Sequence, residues 1–347
     1  MPLTVQVVNP LERADWNARL RQAGDESFFH TRHWAAALCC AYGFRPRYLV
    51  AEEGDLWQGL LPIVETPAGL WRRKGVSLPF TDRCEWFTSD AAVAARLWTA
   101  ALAVAQERRW LSLELRGGTP PPGGGDRPSR RYLQHRVTLL PDSRQMFDLL
   151  PGTTRTAIRK AQRHGLRVEW AADLEAVRRF YRLHCLTRRR HGLPPPPFSF
   201  FRRLAEQALA QDLGGVALAY WGEQPVAGAV FLHFGGTAHF KFGASHPRFL
   251  EWRPNNLVMW EALRRYGERG LRWLELGRTN IEHDGLRRFK QGWGAKESEL
   301  RYFEYDLRQA DYVVRKDRVV GAHNAVFRRL PIPLARIVGA WLYRYAA

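Results

Sequence analysis

A mixed α/β fold built twice over is what the sequence predicts, and three observations predict it. Residues 107–115 (ERRWLSLEL) and 268–276 (ERGLRWLEL) both open on Glu-Arg at the end of an apolar-periodic stretch and close on Leu-Glu-Leu. Upstream of each lies a pair of apolar runs joined by a Gly-acidic turn. One runs from Leu49 to Glu53 through Gly54-Asp55 into Leu60-Leu61-Pro62-Ile63-Val64. The other runs from Leu218 to Trp221 through Gly222-Glu223 into Ala229-Val230-Phe231-Leu232. Both carry the pattern of a hairpin. Third, 347 residues exceed what one core accommodates, since single cores stop growing at roughly 250–300 residues.

Taken in order, the first half reads as a helix over Phe29 to Tyr42, the hairpin, a helix near 91–109 and a strand from Trp110 to Leu115. Gly117 to Gly125, rich in Gly and Pro, is a loop or linker, and Tyr132 to Leu140 reads as a closing strand. The second half opens on a helix for which Thr153 or Thr154 is the expected N-cap. Further helices follow over 173–190 and 199–211, with Pro194 to Pro197 breaking the chain between them. After the second hairpin come a strand at Ala238 to Phe242, a helix at 255–269 and a strand at 271–276. The expected organisation is a domain over 1–145, a second over 146–310 and a helical tail over 311–347, with mixed sheets packed by helices.

Composition narrows the class. With 46% hydrophobic and 25% charged residues the chain is globular, not disordered or collagenous. The net charge of +19 attracts polyanions: nucleic acid, phosphorylated small molecules or an anionic membrane surface. Only six of the 53 basic residues are lysine, at 74, 160, 241, 290, 296 and 316, which raises the interest of each. Cys39, Cys40, Cys84 and Cys185 form no CxxC pair and no zinc spacing, so no metal site is expected. The N-terminus lacks a signal-peptide pattern, and the Ala-rich stretch Ala91 to Ala105 contains Arg96 and is too short to span a bilayer. A cytoplasmic protein with reduced thiols is expected. There is neither G-x-G-x-x-G after a strand nor G-x-x-x-x-G-K-[ST], so dinucleotide and P-loop chemistry have no support.

The densest chemistry lies between Leu276 and Gly294. A strand ends at Gly277, a polar loop is expected, and Lys290 stands between Phe289 and Trp293 with Gly292 and Gly294 nearby. Loops at strand ends are where open α/β sheets hold ligands. A lysine flanked by aromatics is partly desolvated and acts strongly on a developing oxyanion. The alternative is a solvated lysine in an aromatic-rich loop.

The run Asn256 with Trp260-Glu261, Gly277-Arg278 with Thr279, and Phe289-Lys290 with Trp293-Gly294 resembles the carboxy-terminal signature of the Fem-type (FemAB-like) transferases. It is most similar to the branch associated with exosortase and exopolysaccharide systems, and it extends upstream through Arg189, Gly192 and Pro194. The resemblance implies tandem GNAT-like domains, transfer of an aminoacyl or acyl group to an amine, and an aminoacyl-tRNA or acyl-CoA donor. The acceptor it implies is a phosphorylated or lipid-linked precursor of the cell envelope. It makes Lys290 the catalytic residue and Arg189, Asn256, Arg278, Phe289, Trp293 and Gly294 substrate-binding, with Arg188 and Arg190 flanking Arg189. Asn280 departs from the Lys often found after Gly-Arg-Ser in this branch. The Gln/Arg-x-x-Gly-x-Gly/Ala loop typical of coenzyme A users is not found.

Arg155, Arg159 and Arg163, at i, i+4 and i+8, form either a polyanion-binding stripe or a solvated helix face. His283, with Glu282 and Asp284, is a general base or part of a polar turn. Residues 334–345 repeat apolar positions at helical spacing beside Arg336 and Arg344, which suits either a peripheral membrane contact or packing on the domain. Rival functions are a coenzyme A-dependent N-acyltransferase on an amino sugar and a non-catalytic nucleic-acid-binding protein. The latter lacks any RRM, KH, helix-turn-helix or zinc-finger pattern.

Overall fold

The computed structural model describes residues 2–315 and 323–346. It divides into two compact units. One comprises Met1–Leu133, Glu299–Arg318 and Leu342–Ala347, the other Gln134–Ser298 and Val319–Trp341. The units are therefore discontinuous in sequence: 134–145 belongs with the second and 299–310 with the first, where the sequence put boundaries at 145 and 310.

In the first unit the expected hairpin pairs Tyr48–Glu53 with Leu56–Leu61 around Gly54, whose φ of +61° is the left-handed conformation a two-residue turn needs. Thr4–Val8 adds on the far side of Tyr48–Glu53. The helix Ala91–Glu107 starts where the Asp90 carboxylate accepts from the Val93 N–H. It buries Val93, Leu97, Trp98, Ala101 and Ala105 with Leu49, Leu61 and Trp110 in one core. The strand after it, Ser112–Arg116, pairs in parallel with Arg73–Val76 and antiparallel with Tyr302 to Asp306. The sequence reading missed Arg73–Val76, because Arg-Lys-Gly-Val carries no alternation to betray a strand.

The second unit repeats this logic. Gly214–Trp221 and Gln224–Phe234 form the second hairpin, flanked by Arg167–Ala171 and Thr237–Ser245, all antiparallel. The helix Pro254–Glu268 leads into Trp273–Thr279, which pairs in parallel with Thr237–Ser245. Leu113-Glu114-Leu115 and Leu274-Glu275-Leu276 each lie on a strand that follows a helix and pairs in parallel, but the first unit's hairpin belongs to a sheet separate from that strand, whereas the second unit's shares one with it. A register shift makes Lys241 an extra residue, because Val230 pairs Phe242 while Phe231 pairs Phe240. The bulge turns Phe240 toward Phe231, whose ring meets Tyr266 of Pro254–Glu268. Phe242 turns instead to the other sheet face, against His184 of the helix Leu174–Arg190.

The helix Gly152–Arg163 begins ahead of both threonines, so neither is its N-cap; that position is Pro151, with no side-chain bond. Thr154 lies inside the first turn and its hydroxyl donates to the Gly292 carbonyl at 2.6 Å. Ile158 and Ala161 are buried against Pro254–Glu268. The polar loop expected around Lys290 is instead a short helix, Asp284–Gln291, capped by His283, whose Nδ1 accepts from the Leu286 N–H at 3.2 Å. Imidazole capping supplies the start signal that Asn280 and Ile281 do not.

Candidate functional site

The site grows from the end of the strand Trp273–Thr279. Gly277 there has a φ of +73°, a conformation that costs an L-residue about 1–2 kcal/mol and glycine little. In a regular strand successive carbonyls face opposite ways. At Gly277 the backbone turns, so that its carbonyl and that of Arg278 converge on one donor. That donor is Lys290, whose Nζ donates to the Gly277 oxygen at 2.7 Å and the Arg278 oxygen at 3.0 Å. Lys290 is 4% exposed, an ammonium removed from water and held by carbonyl dipoles. Thr279, the next residue, is buried, and its hydroxyl has no partner among the described residues.

Beside Lys290 stands a second polar group. His135, fully buried, contacts the Glu297 carboxylate through Nε2 at 3.0 Å, while its Nδ1 has no hydrogen-bond partner. Glu297 also accepts both arms of Arg287, at 2.7 and 2.6 Å, a bidentate pair. Arg287 holds the Glu297 carboxyl below its usual range. Burial, and then the charge of Lys290, lower the His135 pKa from its ordinary value of 6.5, against the opposing pull of Glu297. His135 is therefore neutral at pH 7. With Nε2–H donating to the carboxylate, the buried Nδ1 keeps its lone pair unused.

The other expected site residues are spread more widely over the unit. Trp293 is 1% exposed and joins the apolar core, meeting Phe289 edge-on with centroids 6.2 Å apart. Phe289 is half-buried and Gly294, at φ +68°, is exposed just past the helix. Arg278 is half-buried at the strand end, next to the Lys290 contact. Asn256 is half-buried in the first turn of Pro254–Glu268; Trp260 of the same motif is buried core, and Glu261 pairs with Arg264 at 2.7 Å. Arg189 and Arg190 are exposed at the end of Leu174–Arg190, whereas Arg188 turns inward and donates to the Pro194 carbonyl at 3.1 Å. His283 is exposed and engaged as a cap.

Along Gly152–Arg163, Arg155 lies 3.9 Å from Asp148 and Arg159 sits over the Phe147 ring at 5.4 Å. Arg159 and Arg163, with Thr156 and Gln162, line a shallow depression. The tail helix Ile332–Leu342 turns Ala335 and Gly339 inward, and a Cβ at Gly339 would stand 2.1 Å from the Pro195 carbonyl oxygen. Leu334, Ile337 and Trp341 are 50%, 69% and 60% exposed. Among the described residues no helix is long and apolar enough to cross a membrane, and no cluster of three or more His, Cys, Asp or Glu could hold a metal ion.

The sequence reading missed His135, Glu297 and Arg287, and took Thr154 for an N-cap. His135 and Glu297 are remote in sequence and belong to no shared motif. Only a strand alternation that turns a histidine inward in Arg-Tyr-Leu-Gln-His-Arg-Val hints at the first.

Residues 152–291 match the acetyltransferase (GNAT) domain family. No curated protein matches in sequence. Among solved structures the chain is similar to FemX, with a TM-score of 0.69 at 14% identity over 89% of this chain and 98% of that one. It is also similar to L-PGS from Bacillus licheniformis (TM-score 0.55, 13% identity, 96% and 98% covered). A tandem GNAT protein from the clavulanic acid biosynthesis pathway gives a TM-score of 0.53 at 12% identity, with 88% and 99% covered. These likenesses show the fold that the chain shares with FemX and with tandem GNAT proteins.

Proposed function

We propose that this chain, an acyltransferase of the tandem GNAT fold, transfers an acyl or aminoacyl group to an amine on a phosphorylated or lipid-linked precursor of the cell envelope or an exopolysaccharide. One observation carries the reading: a buried ammonium, Lys290, fixed at the C-terminal end of a sheet strand by two carbonyls. When an amine attacks an acyl carbonyl, the carbonyl oxygen takes on negative charge. A cation held in a water-poor site stabilises that charge without having to reorganise.

Two donor classes present such a carbonyl. The parallel pairing of Thr237–Ser245 with Trp273–Thr279 is limited to Thr237, Ala238 and His239 against Trp273, Leu274 and Glu275. Past those residues the two strands have no paired positions, which leaves a place for an extended amide chain to hydrogen-bond along them. This suits the arm of an acyl-CoA, which would supply an activated thioester there. The stripe Arg155, Arg159, Arg163 and the exposed Arg189 suit the phosphates of an aminoacyl-tRNA or of the precursor. The exposed apolar face of Ile332–Leu342, with Trp341 on it and Arg336 and Arg344 nearby, favours a peripheral contact with an anionic, cytoplasmic membrane surface, where a lipid-linked acceptor would be found.

The test is incubation of the purified protein with acyl-CoAs and aminoacyl-tRNAs, each with amino-sugar nucleotides and amine-bearing muropeptides, followed by mass spectrometry of the acceptors. One acceptor should gain the mass of one acyl or aminoacyl group. Saturable, salt-sensitive nucleic-acid binding with no acceptor modified by any donor would favour the non-catalytic alternative.

A further inference from the structure

We propose that His135 is the proton acceptor of the transfer and that Glu297 is the residue that positions it, an inference resting on the acyl-transfer reading of the Lys290 site. An acceptor amine arrives in neutral solution as an ammonium and must lose a proton before it has an electron pair to attack with. The base that takes that proton must be neutral, oriented, and left with an unused lone pair. His135 meets all three conditions. Its side chain is fully buried, its Nε2 is tied to Glu297 at 3.0 Å, and its Nδ1 lacks any partner among the described residues. Arg287 pins the carboxylate from the same helix that carries Lys290. The carboxylate thereby fixes both ring orientation and tautomer, leaving Nδ1 as the acceptor.

Within the unit that carries Lys290, the rival buried imidazole is His184, with neither nitrogen hydrogen-bonded. It lies among Phe180, Phe201 and Phe242 with no carboxylate to orient it, and burial followed by the charge of Arg188 lowers its pKa to about 3, too weak a base. The charged groups that act on His135 are Lys290 and Arg287 from the helix and Glu297 from the following strand. On its own strand Gln134 and Arg136 are engaged by Ser298 and Glu275.

The step balances. The acceptor ammonium gives one proton to Nδ1. The freed nitrogen pair forms the C–N bond to the acyl carbon, and the carbonyl π pair moves to oxygen near Lys290. As the tetrahedral species collapses, the bond to the donor's oxygen or sulfur breaks. That leaving atom takes the proton back from the imidazolium, and the second nitrogen proton goes to solvent.

The experiment measures kcat/KM against pH for wild type, His135→Gln, Glu297→Gln and Lys290→Met, on whichever donor and acceptor the mass-spectrometric survey identifies. The wild-type rate should fall on the acid side as His135 gains its proton, on a limb that burial and the Lys290 charge hold below the ordinary histidine value of 6.5, and be flat above it. His135→Gln should be about 10²–10⁴-fold slower near neutrality. Its rate should climb steadily with pH, because only acceptor already deprotonated reacts. Glu297→Gln, which keeps side-chain volume, should move the acid limb lower. A wild-type profile in folded His135→Gln, or an unmoved limb in Glu297→Gln, overturns the proposal while an impaired Lys290→Met keeps the acyl-transfer reading. Unimpaired Lys290→Met, or no turnover with any pair, overturns the reading itself and this inference with it.

Discussion

Replacing Lys290 with methionine should weaken the fold as well as the chemistry. The ammonium makes two hydrogen bonds to backbone carbonyls, at 2.7 and 3.0 Å, in a residue 4% exposed. A bond from a charged donor contributes about 1.5–3 kcal/mol, and its loss leaves each carbonyl without that donor. Methionine refills the volume of the stem and removes the cost of burying a charge, which offsets part of the loss. The balance is a destabilisation of about 2–4 kcal/mol. For a unit of this size that lowers Tm by about 4–16 °C. Urea titration followed by tryptophan fluorescence measures it directly, because Trp293 is buried three residues away. A loss below about 0.5 kcal/mol, the level of an ordinary surface substitution, would refute the claim that this ammonium ties the helix to the strand end.

Gly277→Ala should cost about 1–2 kcal/mol through its left-handed φ, and combined with Lys290→Met it should cost less than the sum in a double-mutant cycle, since both disturb one carbonyl pair. In the first unit, burial works to lower the His30 pKa, but the Asp25 carboxylate against its Nδ1 raises it well above 6.5. A raised folded-state pKa stabilises fully below the unfolded value and loses its effect as pH rises through the folded one. The gap in urea midpoint between wild type and Asp25→Asn should therefore be widest below pH 6.5 and shrink above it; a constant gap would refute the coupling. Ile337→Ser with Trp341→Ser should abolish sedimentation with anionic liposomes while leaving Tm nearly unchanged, since both side chains are exposed; retained sedimentation would rule out this helix as the membrane contact.

The parts of the fold that could be read from the sequence are those with a local cause. The Gly54-Asp55 and Gly222-Glu223 turns announce their hairpins because a left-handed glycine is a local requirement. The helices before Ser112–Arg116 and Trp273–Thr279 announce themselves by apolar period. Arg73–Val76 could not be read, since its strand character comes wholly from pairing with a segment beyond an intervening helix. The same holds for the site. Lys290 stood out through its aromatic and glycine neighbours. Its burial against carbonyls 277 and 278, and its company with His135 and Glu297, are tertiary facts that no spacing encodes. Thr154 looked like a cap because a hydroxyl near a helix start usually is one, but here it reaches across to Gly292.

Whether Lys290 stabilises the oxyanion of an acyl transfer is decided by single-turnover kinetics of wild type and Lys290→Met at a temperature where both are folded. The variant should still bind donor and acceptor while the chemical step slows by about 10²–10³-fold, the usual cost of losing one oxyanion-stabilising group. Equal single-turnover rates in the two proteins would contradict it.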